Sequence, residues 1–138
     1  MKHAFIFRLA LPVTLAAALA GCSRDEVMLL NAARELNSYC PIMIDRDTRV
    51  DKVTAMPGKK LICHYTLLNR EWDGVDADSV ARSIMPQIFN HVRTSPDMVF
   101  LREHNVAFVY RYRDMNGRSV LKLSITPDMY KYLAPRNG

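Results

Sequence analysis

Chemistry in a small protein needs nucleophiles, proton carriers or metal ligands at useful spacings, and this sequence offers few. Its cysteines are Cys22, Cys40 and Cys63, and beyond the first few residues its histidines are His64, His91 and His104. Neither Cys40 nor Cys63 has a CxxC partner, and no histidine stands beside them at metal-ligand spacing, so dithiol redox catalysis and zinc binding both fit poorly. There is no Gly-x-Ser-x-Gly nucleophile turn, no His-Glu-x-x-His, no glycine-rich phosphate loop and no aspartate-rich calcium loop. His64 falls mid-strand, His91 on a helix and His104 at a helix end, positions where an imidazole more often serves the fold than catalysis. Asp45, Asp47 and Asp51 are interleaved with Arg46 and Arg49, a pattern of local ion pairs and turns rather than of a proton-transfer pair. No catalytic residue, metal site or bound cofactor is expected, and the chain does not read as an enzyme.

Cys22 belongs to a different chemistry. Lys2, His3 and Arg8 make a positive start, and Leu9 to Ala20 is an apolar run without a charge. A bilayer-spanning helix needs roughly 20 apolar residues, so this shorter run suits the core of a secretory signal. It closes on Leu19-Ala20-Gly21-Cys22, a quartet that resembles the lipobox of bacterial lipoproteins. There the cysteine sulfur takes a diacylglycerol and the chain is cut just before it. The resemblance implies a signal peptide over residues 1–21 and a mature protein over residues 22–138, with diacylglycerol and an N-acyl chain on Cys22. Each buried CH₂ contributes about 0.8 kcal/mol, so a multiply acylated terminus is a stable anchor. Ser23 follows Cys22 in place of the aspartate that resembles an inner-membrane retention signal. The expected location is therefore the outer membrane, periplasmic face.

The whole chain carries a formal net charge of +5 over 138 residues. Cleavage would remove Lys2 and Arg8 and leave about +3, with no basic cluster dense enough for nucleic-acid binding. The remaining length suffices for one domain with its own core. With Cys22 acylated, Cys40 and Cys63 form an even pair in an oxidising compartment and are expected to make a disulfide. Closing that loop would contribute about 3 kcal/mol on the chain-entropy model. Two buried free thiols are the other reading.

Ser23-Arg24-Asp25-Glu26 fits a capping box and opens a helix over about 25–38, directly after Cys22 and stopped by Pro41. Thr48 to Ala55 and Leu61 to Leu68 read as strands around a Pro57-Gly58 turn. Residues 69–78 form a polar, acidic loop holding Trp72. Val80, Ile84, Met85, Ile88 and Val92 then make the apolar stripe of a helix over about 78–94, which Pro86 should bend or restart. Ser95-Pro96 begins a short helix, with Ser95 as cap, that His104-Asn105 ends. A second hairpin runs from Val106 through an Asp114-Met115-Asn116-Gly117 turn to Ile125. Thr126-Pro127-Asp128 caps a last helix through Leu133. The expected fold is α+β and single-domain: an antiparallel sheet of two β-hairpins packed against helices, in the order α-β-β-α-α-β-β-α.

What remains for function is surface. A groove between the second long helix and the sheet, around Ile84, Ile88, Phe89 and Tyr110, would take a partner helix, although any of these residues also suits the core. Arg111 and Arg113, with Arg118 and Lys122, should gather on the polar face of the second hairpin. Trp72 in its acidic loop is a further contact candidate.

Two resemblances extend this reading. Cys40-Pro41-Ile42-Met43-Ile44-Asp45-Arg46-Asp47-Thr48-Arg49-Val50-Asp51 followed by Leu61 to Leu68 resembles a run in small bacterial exported proteins of unassigned function. In layout, residues 23–133 are similar to the β-type pilotins of type II secretion: lipobox, helix, hairpin, helix, a short Ser-Pro-Asp-led helix and a final hairpin. Pilotins are outer-membrane lipoproteins that bind the C-terminal segment of a secretin and guide its assembly. The resemblance implies a non-enzymatic protein whose partner is another envelope protein, a secretin-like channel being the most concrete form. The pilotin disulfide ties the second helix to the C-terminus, whereas no cysteine stands near Val92 or Met129-Tyr130 here. A small-ligand-binding or inhibitor lipoprotein is the competing class.

Overall fold

A computed structural model of the protein describes residues 23–68 and 74–132. The lipobox with Cys22, the loop tryptophan Trp72 and the end of the last helix at Leu133 lie outside the described residues.

Helix α1 spans Arg24–Tyr39. Ser23 caps it, its Oγ accepting from the Glu26 N–H at 3.3 Å. The reciprocal half of the expected capping box is redirected: the Glu26 carboxylate accepts from the Gly58 N–H at 3.0 Å. Asp25 lies 3.7 Å from the Lys59 ammonium. The first turn of α1 thereby holds the tip of the first hairpin, while Leu29 and Ala33, one helical turn apart, enter the core.

That hairpin is β2 (Thr48–Met56) and β3 (Lys60–Leu67), preceded by a two-residue edge strand β1 (Ile42–Met43) that pairs with Val50 and Arg49. Gly58 and Lys59 turn the chain with φ of 80° and 55°, and glycine takes such a conformation without steric cost. Helix α2 (Ala77–Thr94) runs through Pro86 without a break. A 3₁₀ turn over Pro96–Met98 leads into α3 (Val99–Glu103). Ser95 stands at the expected cap position, but its hydroxyl makes no capping bond. Its carbonyl and that of Val92 instead accept from Arg102 Nη1 at 2.8 and 2.7 Å, which closes the C-terminal end of α2. Strands β4 (Ala107–Asp114) and β5 (Ser119–Ile125) form the second hairpin, followed by α4 (Pro127–Tyr132). The second turn is organised by Asp114, 2% exposed, whose Oδ1 accepts from the Asn116 and Arg118 N–H groups at 2.9 Å each.

The fold is α+β, as expected, with a five-stranded sheet in the order β1-β2-β3-β4-β5. Two features differ from a sheet of two antiparallel hairpins. β1 adds an edge, and the hairpins join through β3 and β4, which run parallel from Lys60↔Ala107 to Leu67↔Asp114. Alternation of apolar residues reports which face a side chain takes, not which way a strand runs, so this pairing is silent in the pattern. Leu29 and Ala33 of α1, Val92 of α2, Leu101 of α3 and Tyr130 of α4 all pack into one cluster with Leu61, Phe108, Tyr110, Leu123 and Ile125 of the sheet. The helices therefore share one sheet face. Among the described residues no helix covers the other.

The edge of β2 carries a specific closure. β1 stops pairing at Val50, which leaves the outward N–H and C=O of Val53 without a strand partner. The Asn37 amide takes both, accepting from Val53 N at 2.7 Å and donating to Val53 O at 2.8 Å. One side chain at the end of α1 thus substitutes for a missing strand residue. Replacing Asn37 with Ala should destabilise the fold by about 1–2 kcal/mol, since two backbone groups lose their partners. Thermal denaturation measures this as a Tm lowered by several degrees, with Asn37→Asp, which keeps the acceptor, falling between.

Candidate functional site: an apolar groove at the end of the first helix

Where α1 ends, the helices on the covered face do not close over the sheet. A groove with a cavity volume of about 220 Å³ remains. Its floor is Val50 and Val53 of β2, Leu61, Cys63 and Tyr65 of β3, and Phe108 and Tyr110 of β4. One wall is Leu36, Cys40 and Ile42; the other is His91, Met98 and Leu101. The floor arises because odd-numbered residues of β3 and even-numbered residues of β4 face the helices together, as the register pairs Leu61↔Phe108 and Cys63↔Tyr110 require.

The first wall is unusually apolar for a surface. Leu36 is 43% exposed, Tyr39 68% and Ile42 39%, and Met43 and Ile44 continue the exposed run. Large apolar side chains clustered on one exposed segment mark interaction surfaces more often than isolated ones do. Tyr65 stacks on Tyr112 with ring centroids 4.8 Å apart and meets Tyr110 at 6.0 Å.

The thiols and phenols of this region are uncharged at neutral pH. Burial pushes the Cys63 thiol up to about 12, with Cys40 adding to the shift. Burial and then Asp51 raise Cys40. Burial raises the phenols of Tyr65 and Tyr110 and pushes Tyr112 up to about 12. Neither thiol is a nucleophile under such conditions, because the thiolate is the reactive form. The groove can bury apolar side chains and offer neutral hydrogen-bonding groups. The expected Cys40–Cys63 bridge is not formed in the structure: both are free thiols, and Cys40 Sγ is turned back to the Leu36 carbonyl at 3.3 Å. Both nonetheless line the same groove, one on its wall and one on its floor.

Of the contact residues read from the sequence, Tyr110 lies in this groove. Ile84 and Ile88 are half-buried on the core side of α2. Phe89 lines a separate, shallow depression of about 490 Å³ with Arg82, Met85, Pro86 and Met129, so the structure does not bring Phe89 and Tyr110 into one cleft. Arg111 and Arg113 point to the opposite sheet face, and Trp72 lies outside the described residues. Leu36, Ile42, Met98 and Leu101 are not among the contact residues that the sequence singles out. Their one signal was the apolar run Ile42-Met43-Ile44 directly after the helix-stopping Pro41, too short to imply a strand and too apolar for a loop. Among the described residues no cluster of three or more potential metal ligands occurs, and no helix is long and apolar enough to cross a membrane.

The fold has solved counterparts. A Pseudomonas aeruginosa protein described as secreted shares it with a TM-score of 0.63 and 18% sequence identity, over 80% of this chain and 100% of that one. EpsS, the pilotin of the Vibrio vulnificus type 2 secretion system, matches with a TM-score of 0.60 and 12% identity, over 78% of this chain and 92% of that one. AspS, the type II secretion pilotin of Vibrio cholerae, matches with a TM-score of 0.57 and 14% identity, over 76% and 91% respectively. At these identities the likeness is one of fold. No curated protein matches the sequence significantly. Residues 25–122, most of the chain, match the family model described as Domain of unknown function (DUF8479), and the protein belongs to that family.

Proposed function

We propose that this protein is a non-enzymatic lipoprotein, anchored through Cys22 at the periplasmic face of the outer membrane, that binds a helical segment of another envelope protein in the manner of a pilotin. A secretin-like channel is the partner that fits best. The observation that carries this reading is the apolar groove with its exposed Leu36–Ile42 wall, set on a fold shared with two type II secretion pilotins. An amphipathic helix docks by laying apolar side chains into such a groove. At about 220 Å³ the cavity is smaller than the roughly 300–1,000 Å³ of small-molecule sites. It suits one or two large side chains, which favours a polypeptide over a free ligand. The neutral phenols of Tyr65 and Tyr110 can bond a helix's polar edge without the desolvation cost of a charge.

Three outcomes test the reading. In crosslinking pull-downs from envelope fractions, the native protein should recover a secretin or another outer-membrane channel. A Cys22→Ala form exported by a non-lipid signal should leave the membrane fraction and mislocalise that partner. Recovery of no protein by either form sinks the assembly role.

Leu36→Asp combined with Ile42→Asp should reduce capture at least about tenfold while leaving the variant folded, at a stability cost of about 1–2 kcal/mol that thermal denaturation measures separately. Capture at the native level by that variant would remove the groove from the account.

Finally, protein isolated from the periplasm should carry a Cys40–Cys63 bridge, seen as two unalkylated cysteines before reduction. Cys40→Ser should then lower stability by about 3 kcal/mol. Full alkylation without reduction would show that the pair stays as thiols.

A further inference from the structure

The sheet face that no described helix covers carries an arrangement that stability alone does not explain. Lys52 pairs with His64, His64 with Arg111, and Arg111 with Lys122. Four basic residues therefore lie in one row across β2, β3, β4 and β5. Arg113 sits two residues along β4 on the same face. Like charges directly opposite one another destabilise a sheet. Among the described residues none of Lys52, Arg111, Arg113 and Lys122 is ion-paired.

The row depends on an irregularity. The β2–β3 register slips between Val50 and Lys52, so Asp51 is an extra residue. Such a bulge re-aims the side chains that follow it. Without it, Lys52 would turn into the core and Val53 out of it. Asp51 offsets the row only in part, because its carboxylate is already engaged by Arg49 Nε at 2.7 Å and Thr66 Oγ1 at 2.6 Å.

We propose that this row is a docking surface for an acidic, extended polypeptide segment of a partner protein, laid across the strands with its carboxylates against Lys52, Arg111, Arg113 and Lys122. With strands about 4.8 Å apart, the row spans about 14 Å, the length of some four extended residues. Guanidinium forks match carboxylates in geometry as well as charge. A membrane surface fits less well. Elements that lie on lipid insert exposed apolar side chains, whereas the apolar residues at the centre of this face, Ile62 and Val109, are 7% and 6% exposed. The surface lies opposite the groove, so the proposal does not rest on what the groove binds.

His64 reports on occupancy. It is half-buried, with Nε2 3.1 Å from Thr54 Oγ1. Burial, then Lys52, Arg111 and Arg113, push its pKa below the ordinary value, and Asp51 acts the other way. Carboxylates arriving on the row oppose that shift. Binding therefore takes up a proton between the two pKa values of His64: affinity rises as pH falls through the value of the bound state and levels off below the lowered value of the free state.

The test is an NMR titration of the His64 imidazole in the full chain, held in zwitterionic phosphatidylcholine nanodiscs at physiological salt. Octaglutamate is the peptide probe, and phosphatidylglycerol vesicles are the lipid comparison. Octaglutamate should raise the His64 pKa and bind at least about tenfold more weakly to Arg111→Gln/Lys122→Gln. Arg111→Lys should retain most of the binding, and Leu36→Asp should leave it unchanged. No shift of His64, or equal binding by the double variant, overturns the proposal. Vesicle binding that the double variant loses, without octaglutamate binding, overturns it in favour of a lipid face.

Discussion

Eight residue pairs join β3 to β4 in parallel, and parallel strands cannot be connected by a tight turn. The chain must leave the end of β3, travel back along the sheet and re-enter at the start of β4. Here residues 68–106 make that return, and α2 and α3 lie within it. The helices of a parallel connection pack on the sheet face they cross. Once α2 and α3 occupy one face, α1 and α4 complete the same layer, and the second face carries basic and other polar side chains around the apolar pair Ile62 and Val109. Everything distinctive about the molecule follows from that asymmetry between faces.

On the covered side the layer does not close completely. α2 leans towards β5 and α4, while α1 lies over β2. Between them the centre of the sheet, from Cys63 to Tyr110, is reached from outside past Leu36 and Ile42. The floor is made of paired strands and stacked tyrosines, whereas one of the two walls is the short segment from the end of α1 to β1. A binding site with a fixed floor and a slender wall is pre-organised where apolar contact is made and adaptable where the ligand enters.

Much of this was legible in the sequence, in unequal parts. Ser23 with Glu26, Pro57-Gly58 and the alternation of Leu61, Cys63, Tyr65 and Leu67 located α1 and the first hairpin, because capping, turn chemistry and period-two burial are local rules. The parallel join was not legible, since strand direction is decided by distant packing. Neither was the destination of Glu26, which left its helix to hold Gly58. The facing of Lys52 depends on a bulge that no residue type announces, so the row was seen only in part, through Arg111, Arg113 and Lys122 on the second hairpin. For the groove, helical periodicity pointed at α2 and so to Ile84, Ile88 and Phe89. The opening lies instead where α1 stops, and only Tyr110 belongs to both.

One feature of α1 sets a scale for the whole domain. Its first turn is pinned to the hairpin tip through Glu26–Gly58 and Asp25–Lys59, and it begins one residue after Ser23 caps it. With the proposed acyl chains on Cys22, there is no leash between bilayer and domain. Sixteen helical residues at 1.5 Å each make a mast of about 24 Å, and the groove opens at its top. With acyl chains on Cys22, whatever enters the groove would do so within about that distance of the anchor. The domain can swivel about its anchor but cannot reach.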